Sequence, residues 1–357
     1  MKTVIVTGSQ GFVGGYLCRE LLSNGYKVIG IDNYSKYGVI KRDYDDNENF
    51  RLIVDDLSTQ NGFDRFKSII AFNKPDYLIA AAAMIGGISY FHKYAYDLLA
   101  HNERIMANTF DAAIAAYKDR VLKRIVVISS SMVYEGADEE AQKMTNLYGT
   151  TGEHIWPSEE DDVKILPPPV STYGLQKLAC EYYCKGALEQ YGLPYTIIRP
   201  FNCVGLGEED AVGEAEVYSG NIKLRMSHVI PDLINKVLRK QNPLHILGAG
   251  NQVRCYTHGK DIARGIRLAM ESDKAVNEAF NISAARNTTV LELAELIWGY
   301  INDEPFAYIS DEPFAHDVQK RLPDVSKARD ILGFEADISL EDSVCEVIDY
   351  MKKELKL

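Results

Sequence analysis

No stretch of this 357-residue chain approaches the roughly eighteen apolar residues of a membrane-spanning helix, and the first strand-like run starts at Thr3, before a basic and apolar leader could fit. A soluble, cytoplasmic protein with no membrane partner is expected. Positive charge is scarce as well: 39 Lys and Arg face 51 Asp and Glu, a net charge of -12. That balance disfavours nucleic acid as a partner, although a few local cations can still hold a phosphate. The six cysteines (Cys18, Cys180, Cys184, Cys203, Cys255 and Cys345) include no C-x-x-C spacing. Neither a zinc site nor a disulfide framework is indicated, and no metal is expected. Cys180 and Cys184 read as thiols packed in a core. Internal repeats and low-complexity tracts are absent.

What is present is a chain 46% hydrophobic and 25% charged, enough to bury a large core in two lobes. Strand-like runs lie at Thr3–Thr7, Lys27–Asp32, Phe50–Val54, Tyr77–Ala81, Arg124–Ser129 and Thr196–Arg199, with helical patterns near Gly14–Ser23, Gly62–Phe72 and Leu98–Tyr117 between them. Apolar strands alternating with helices imply an α/β fold, a doubly wound parallel sheet of Rossmann type. Glu135–Val170, rich in turn residues, and Gly205–Ser227, with Lys223, Arg225 and His228 at its end, break the rhythm and read as binding loops. Helical or strand patterns resume at Ile230–Lys240, Pro243–Leu247, Gln252–Thr257, Asp261–Met270, Val290–Ile301 and from Leu340.

The amino terminus reads as a dinucleotide site. Gly8, Gly11, Phe12, Val13 and Gly14 form a turn between a buried strand and a helix, where glycines let the backbone approach a pyrophosphate and the helix amino terminus supplies N–H donors. Asp32, at the end of the second strand and followed by Asn33, can accept hydrogen bonds from ribose hydroxyls and repel a 2'-phosphate, so NAD is favoured over NADP. Lys36 and Arg42 oppose that choice if they fold over the ribose, and read otherwise as solvated loop cations. Asp56 and Leu57, after the third strand, are candidates for the adenine edge.

Tyr173 and Lys177, four residues apart, share one face of a helix, where the ammonium favours the phenolate and lets the tyrosine exchange a proton with a hydroxyl near neutral pH. Redox chemistry at a carbinol carbon is the implication. Ser129, Ser130, Ser131 and Met132 follow the apolar run Ile125–Ile128, at the carboxyl end of a strand, where such sheets bind ligands.

These motifs together resemble the extended short-chain dehydrogenase/reductase family, specifically its nucleotide-sugar epimerases, dehydratases and decarboxylases. The resemblance runs on through Ala82-Ala83, Asn102, Arg199-Pro200-Phe201-Asn202, Gly248-x-Gly250-x-Gln252-x-Arg254 and Arg321-Leu322-Pro323-Asp324. It implies that Tyr173 is the acid/base, that Lys177 holds the nicotinamide ribose, and that Ser130 bonds the reacting oxygen. Ala82, Ala83, Asn102, Ser129 and Pro200 fall on the cofactor side. Ser131, Met132, Asn202, Lys223, Arg254 and Arg321 fall on the side of a nucleotide-diphosphate sugar. An NAD-binding domain at residues 1–202 and 252–285 is then expected beside a smaller, discontinuous substrate lobe at 203–251 and 286–357. The family's habit of pairing two helices per subunit implies a homodimer through Leu98–Tyr117 and Tyr173–Glu189.

The two residues after the catalytic hydroxyl separate the reactions. Dehydratases of the family resemble one another in an Asp-Glu pair there, decarboxylases usually carry Glu at the second place, and 3,5-epimerases a Cys. This chain has Ser131 and Met132. What remains needs hydride and one proton, as in a C4 epimerase with retained NAD. A keto-sugar reductase, a UDP-glucuronate decarboxylase and an inactive sugar-nucleotide sensor stay open. The epimerase expectation assumes that no carboxylate of the two long loops reaches the sugar; Glu135, Glu159, Glu160 and Glu208 are the ones to watch.

Overall fold

In the computed structural model, which describes residues 1–86, 93–148, 156–208, 218–223, 228–313 and 318–356, the early strands form where their β-branched residues predict them. They are β1 (Thr3–Thr7), β2 (Lys27–Asp32), β3 (Phe50–Val54), β4 (Tyr77–Ala80), β5 (Arg124–Ile128), β6 (Tyr195–Pro200) and β7 (Glu278–Ile282). All are parallel, in the order β7-β6-β5-β4-β1-β2-β3. The strand order reverses at β1, which pairs β2 on one side and β4 on the other, and this opens a crevice at the carboxyl ends.

Alternation along each strand feeds two cores. Val4, Val6, Val28, Val126 and Phe280 pack under one face with α1 (Phe12–Ser23). Ile5, Ile29, Leu78, Val127 and Ile197 pack under the other with α2 (Gly62–Asn73) and α3 (Ala95–Lys118). The loop expected over Glu135–Val170 is partly helical: α4 spans Ala137–Tyr148, with Asp138, Glu139 and Glu140 in its first turn complementing the helix dipole. A 3₁₀ turn follows at Glu160–Lys164. Helix α5 (Thr172–Tyr191), capped by the Ser171 hydroxyl on the Gly174 N–H, carries Tyr173 and Lys177 and packs along α3.

A third core lies beyond the sheet. It joins α6 (Val229–Leu238) to Leu244 and Ile246, and to helices that follow α7 (Gly259–Glu271), namely α8 (Val290–Ile301) and the chain's last long helix, Leu340–Leu355. Residues 326–336, expected with this second lobe, instead join the first core. Ala328 and Phe334 are buried there because α9 (Ser326–Leu332) packs on β7 and α7. Among the described residues no helix is long and apolar enough to cross a membrane, and all six cysteines are free.

Candidate active site

One cavity of about 580 Å³ runs along the carboxyl ends of the strands, between the sheet and the third core. It begins at the glycine turn. Gly8 has a φ of 74°, and a Cβ there would meet the Ala82 backbone at 2.8 Å; a Cβ at Gly14 would fall 2.0 Å from the Gly8 carbonyl. Side chains are therefore excluded from both positions. Helix α1 opens with Gly11 as its cap and no acid in its first turn, so its amino end is left open to an anion. Asp32 is held by the N–H groups of Gln10 and Tyr34, at 2.9 and 2.8 Å. Burial raises its carboxyl above the ordinary range, against the pull of those two amides.

Phe12, Val13, Asn33, Asp56, Leu57, Ala82, Ala83 and Pro200 line the same space. Asp56 also closes its own turn, one oxygen accepting from the Ser58 N–H and hydroxyl at 2.8 and 2.6 Å. Asn102 stands behind the wall: its amide takes the Met84 N–H at 2.6 Å and gives to the Met84 carbonyl at 3.0 Å, fixing the loop after β4. Thr7 does similar work unseen in the sequence, its hydroxyl accepting from the Ala81 and Ala82 N–H groups. Arg42 is buried and Lys36 half-buried, so neither is a freely solvated loop cation. Lys36 lines the cavity, and buried Arg42 donates to the Gln10 carbonyl at 2.7 Å and to that of Gly207 at 3.5 Å, so its charge is spent on closing the loop.

Ser130, Tyr173 and Lys177 all line the cavity, and all are buried. The Lys177 ammonium donates to the Ile128 carbonyl at 3.0 Å and lies 5.9 Å from the centre of the Tyr173 ring. The Ser130 hydroxyl accepts from the Met132 N–H at 3.1 Å and starts the buried 3₁₀ turn Ser131–Tyr134. A pinned ammonium, a phenol on the same helical face and a hydroxyl at a strand end form a proton-exchange set suited to a carbinol. A family model described as the NAD dependent epimerase/dehydratase family matches residues 4–283.

The chain belongs to that family. The glycine cradle and Asp32 of the crevice just described have the shape and chemistry to fit the NAD that this family uses. The chain is 26% identical to the UDP-N-acetyl-alpha-D-glucosaminuronate decarboxylase of Bacillus cytotoxicus, over 99% of this chain and 98% of the relative. Among solved structures it is similar to the UDP-glucose 4-epimerase of Thermotoga maritima with UDP-glucose, at 26% identity and a TM-score of 0.75, covering 99% of each chain. The UDP-glucuronic acid 4-epimerase of Bacillus cereus in complex with UDP-glucuronic acid and NAD shares the fold, at 23% identity and a TM-score of 0.76, again with 99% of each chain covered. Relatives of this epimerase/dehydratase are nucleotide-sugar epimerases and decarboxylases.

The other predicted residues divide. Ser131, Met132, Asn202, Arg254 and Arg321 line the cavity; Lys223 is exposed in the short strand Ile222–Lys223 and is not among the lining residues. Arg254 is buried and donates to the Val318, Gln319 and Val253 carbonyls, so it is no surface salt bridge. Ser129 also lines the cavity, and its hydroxyl donates to Glu181 at 2.7 Å. Glu181 is itself locked to buried Arg199 by two bonds of 2.8 and 2.7 Å, and Arg199 also reaches the Tyr134 hydroxyl and the Glu160 carbonyl. Arg225 lies outside the described residues.

Two of the four suspected carboxylates belong to the cavity wall. Glu135 and Glu208 line it, whereas Glu160 accepts from the Asn281 N–H at 2.8 Å and Glu159 caps its own turn. Glu208 accepts from the N–H and the ring of His228. His101, Lys236 and Tyr256 are lining residues that no motif announced, because they come from three elements and converge only once the chain is folded.

Proposed function

We propose that this protein is a nucleotide-sugar 4-epimerase that keeps its NAD through the cycle. When bound, NAD supplies the reversible hydride exchange that converts a carbinol to a ketone and back. Tyr173 takes the proton from the sugar hydroxyl and later returns it, Ser130 bonds the same oxygen, and Lys177 holds the phenolate charge in place. The observation that carries the reading is the turn after Ser130. Ser131 and Met132 present a hydroxyl and a thioether where elimination needs an acid and a base. Tyr173 and Met132 cluster with Leu98, Val318 and Ile85, an apolar wall that leaves a keto-sugar free to turn its other face.

Retention of the cofactor is supported by the loop Gly205–Glu208, which Arg42, Tyr16 and His228 tie across the crevice. We assign the nucleotide diphosphate to the end of the cavity lined by Asn202, Arg254 and Arg321, since arginine forks suit phosphate oxygens. The lobe built on residues 203–251 and most of 286–357 carries that end. Six free cysteines support work in the reducing cytoplasm.

The test is incubation of the purified protein with a panel of nucleotide sugars, without added cofactor, and mass spectrometry of the products. An isomer of unchanged mass is expected. A product lighter by water or by carbon dioxide overturns the epimerase assignment, the latter in favour of the decarboxylase, for which Glu135 offers an acid.

A further inference from the structure

Glu135 follows the buried turn Ser131–Tyr134 and is 7% exposed, yet it lines the cavity beside Ser131, Met132 and Tyr173. Its two oxygens differ. Oε2 accepts from the Ser171 N–H at 3.0 Å and from the Ser171 hydroxyl at 2.7 Å, and Ser171 caps α5 two residues before Tyr173. Gly174 leaves room for this contact, since a Cβ there would stand 2.8 Å from Oε2. Both partners are neutral donors, so no cation pairs with this oxygen. Oε1 has no hydrogen-bond partner among the described residues. A carboxylate oxygen can be satisfied only by a donor, and a buried one left without a donor is costly.

We propose that Glu135 selects the sugar. This rests on the nucleotide-sugar reading of the cavity. Oε1 accepts a hydrogen bond from a hydroxyl or amide N–H of a neutral sugar, while the negative charge disfavours a sugar that carries its own carboxylate. The neighbouring wall of Ile85, Met132 and Val318 is apolar, and a low local dielectric enlarges both the attraction and the repulsion. The acid positions at 131 and 132 are thus replaced by one carboxylate that is fixed to the helix of the catalytic tyrosine. It is built to discriminate, with one oxygen anchored to Ser171 and the other left without a donor among the described residues.

Calorimetry on the NAD-loaded protein tests this with UDP, UDP-glucose and UDP-glucuronate, and with GDP, GDP-mannose and GDP-mannuronate. The expected result is that the neutral conjugate binds at least about tenfold more tightly than its uronate. Glu135→Gln, which keeps an acceptor for Ser171, should bring the two within about threefold and leave the free nucleoside diphosphate unchanged. A uronate that binds as tightly as the neutral sugar overturns the proposal. So does a variant in which all three ligands weaken equally, which makes Glu135 only an anchor for the helix. Failure of every nucleotide and conjugate to bind defeats the nucleotide-sugar reading itself and the selection with it.

Discussion

The Tyr173 phenol is 5% exposed, and its ammonium partner is held by a main-chain carbonyl instead of a carboxylate. The Lys177 ammonium is thus positioned beside the phenol by the main chain of the sheet. Tyr173→Phe removes the exchangeable proton and little packing, so the variant should fold and bind NAD while turnover falls about 100- to 10,000-fold. Steady-state kinetics beside a circular dichroism melt check it; near-native turnover would dismiss the acid/base role. Residues of this kind were legible because their chemistry is local: Tyr173 and Lys177 share a helical face whatever the rest of the chain does. Glu135 was only a suspect, since its meaning depends on Ser171, 36 positions away. Ser129 was legible in part. Its place in a serine run at a strand end put it on the cavity, whereas its bond to a buried glutamate 52 positions on could not be read from the sequence.

At the scale of elements, the clearest device is the clasp of Gly205–Glu208 on α6 and α1. Burial alone would raise the Glu208 carboxyl, but His228, together with Lys36, outweighs it and holds the group below its ordinary value. A carboxyl depressed in the folded state contributes its full stability above its unfolded value, near ~4.3, and loses it as pH falls through the lower folded value. The clasp should thus be closed at neutral pH and open only in acid. Glu208→Gln should open it at pH 7, raising amide exchange at Leu206, whose N–H is bonded to the Tyr16 hydroxyl. Hydrogen exchange with mass detection reads this directly, and equal protection in the two proteins at pH 7 would show that Glu208 holds nothing. Elements with a strong local signal stood out in the sequence, such as Val290–Ile301, which the structure forms over the same residues. Helix α4 did not, because turn residues on either side of it masked a polar, acidic helix. Strand β7 was hidden by its distance from the strand it pairs with: Glu278 meets Thr196.

On the whole molecule, α3 and α5 lie together on one face of the sheet and leave Tyr96, Leu175 and Tyr182 exposed, Tyr182 at 64%. Apolar side chains on two adjacent helices suit an isologous four-helix contact, so a homodimer is expected at micromolar concentration. Leu175→Glu combined with Tyr182→Glu should give monomers by light scattering; a native protein that runs as a monomer would remove the basis for that interface. The alternation of strands and helices made the sheet readable at this scale. The allocation of residues 326–336 was not, since which core receives Ala328 and Phe334 is settled by packing alone. The arginine inside that sheet has a further consequence. Arg199 couples β6, the glutamate of α5, the tyrosine that ends the serine turn and the backbone at Glu160, which ties the helix that carries Tyr173 and Lys177 to the turn that follows Ser130. Arg254 stands apart from that frame, in the short strand Val253–Arg254 that pairs with Thr288–Thr289 outside the seven-stranded sheet. On the proposed assignment of the nucleotide, change in that strand would retune which nucleotide is accepted while the frame around Arg199 stays as it is, like a tool that changes its jaws without moving its pivot.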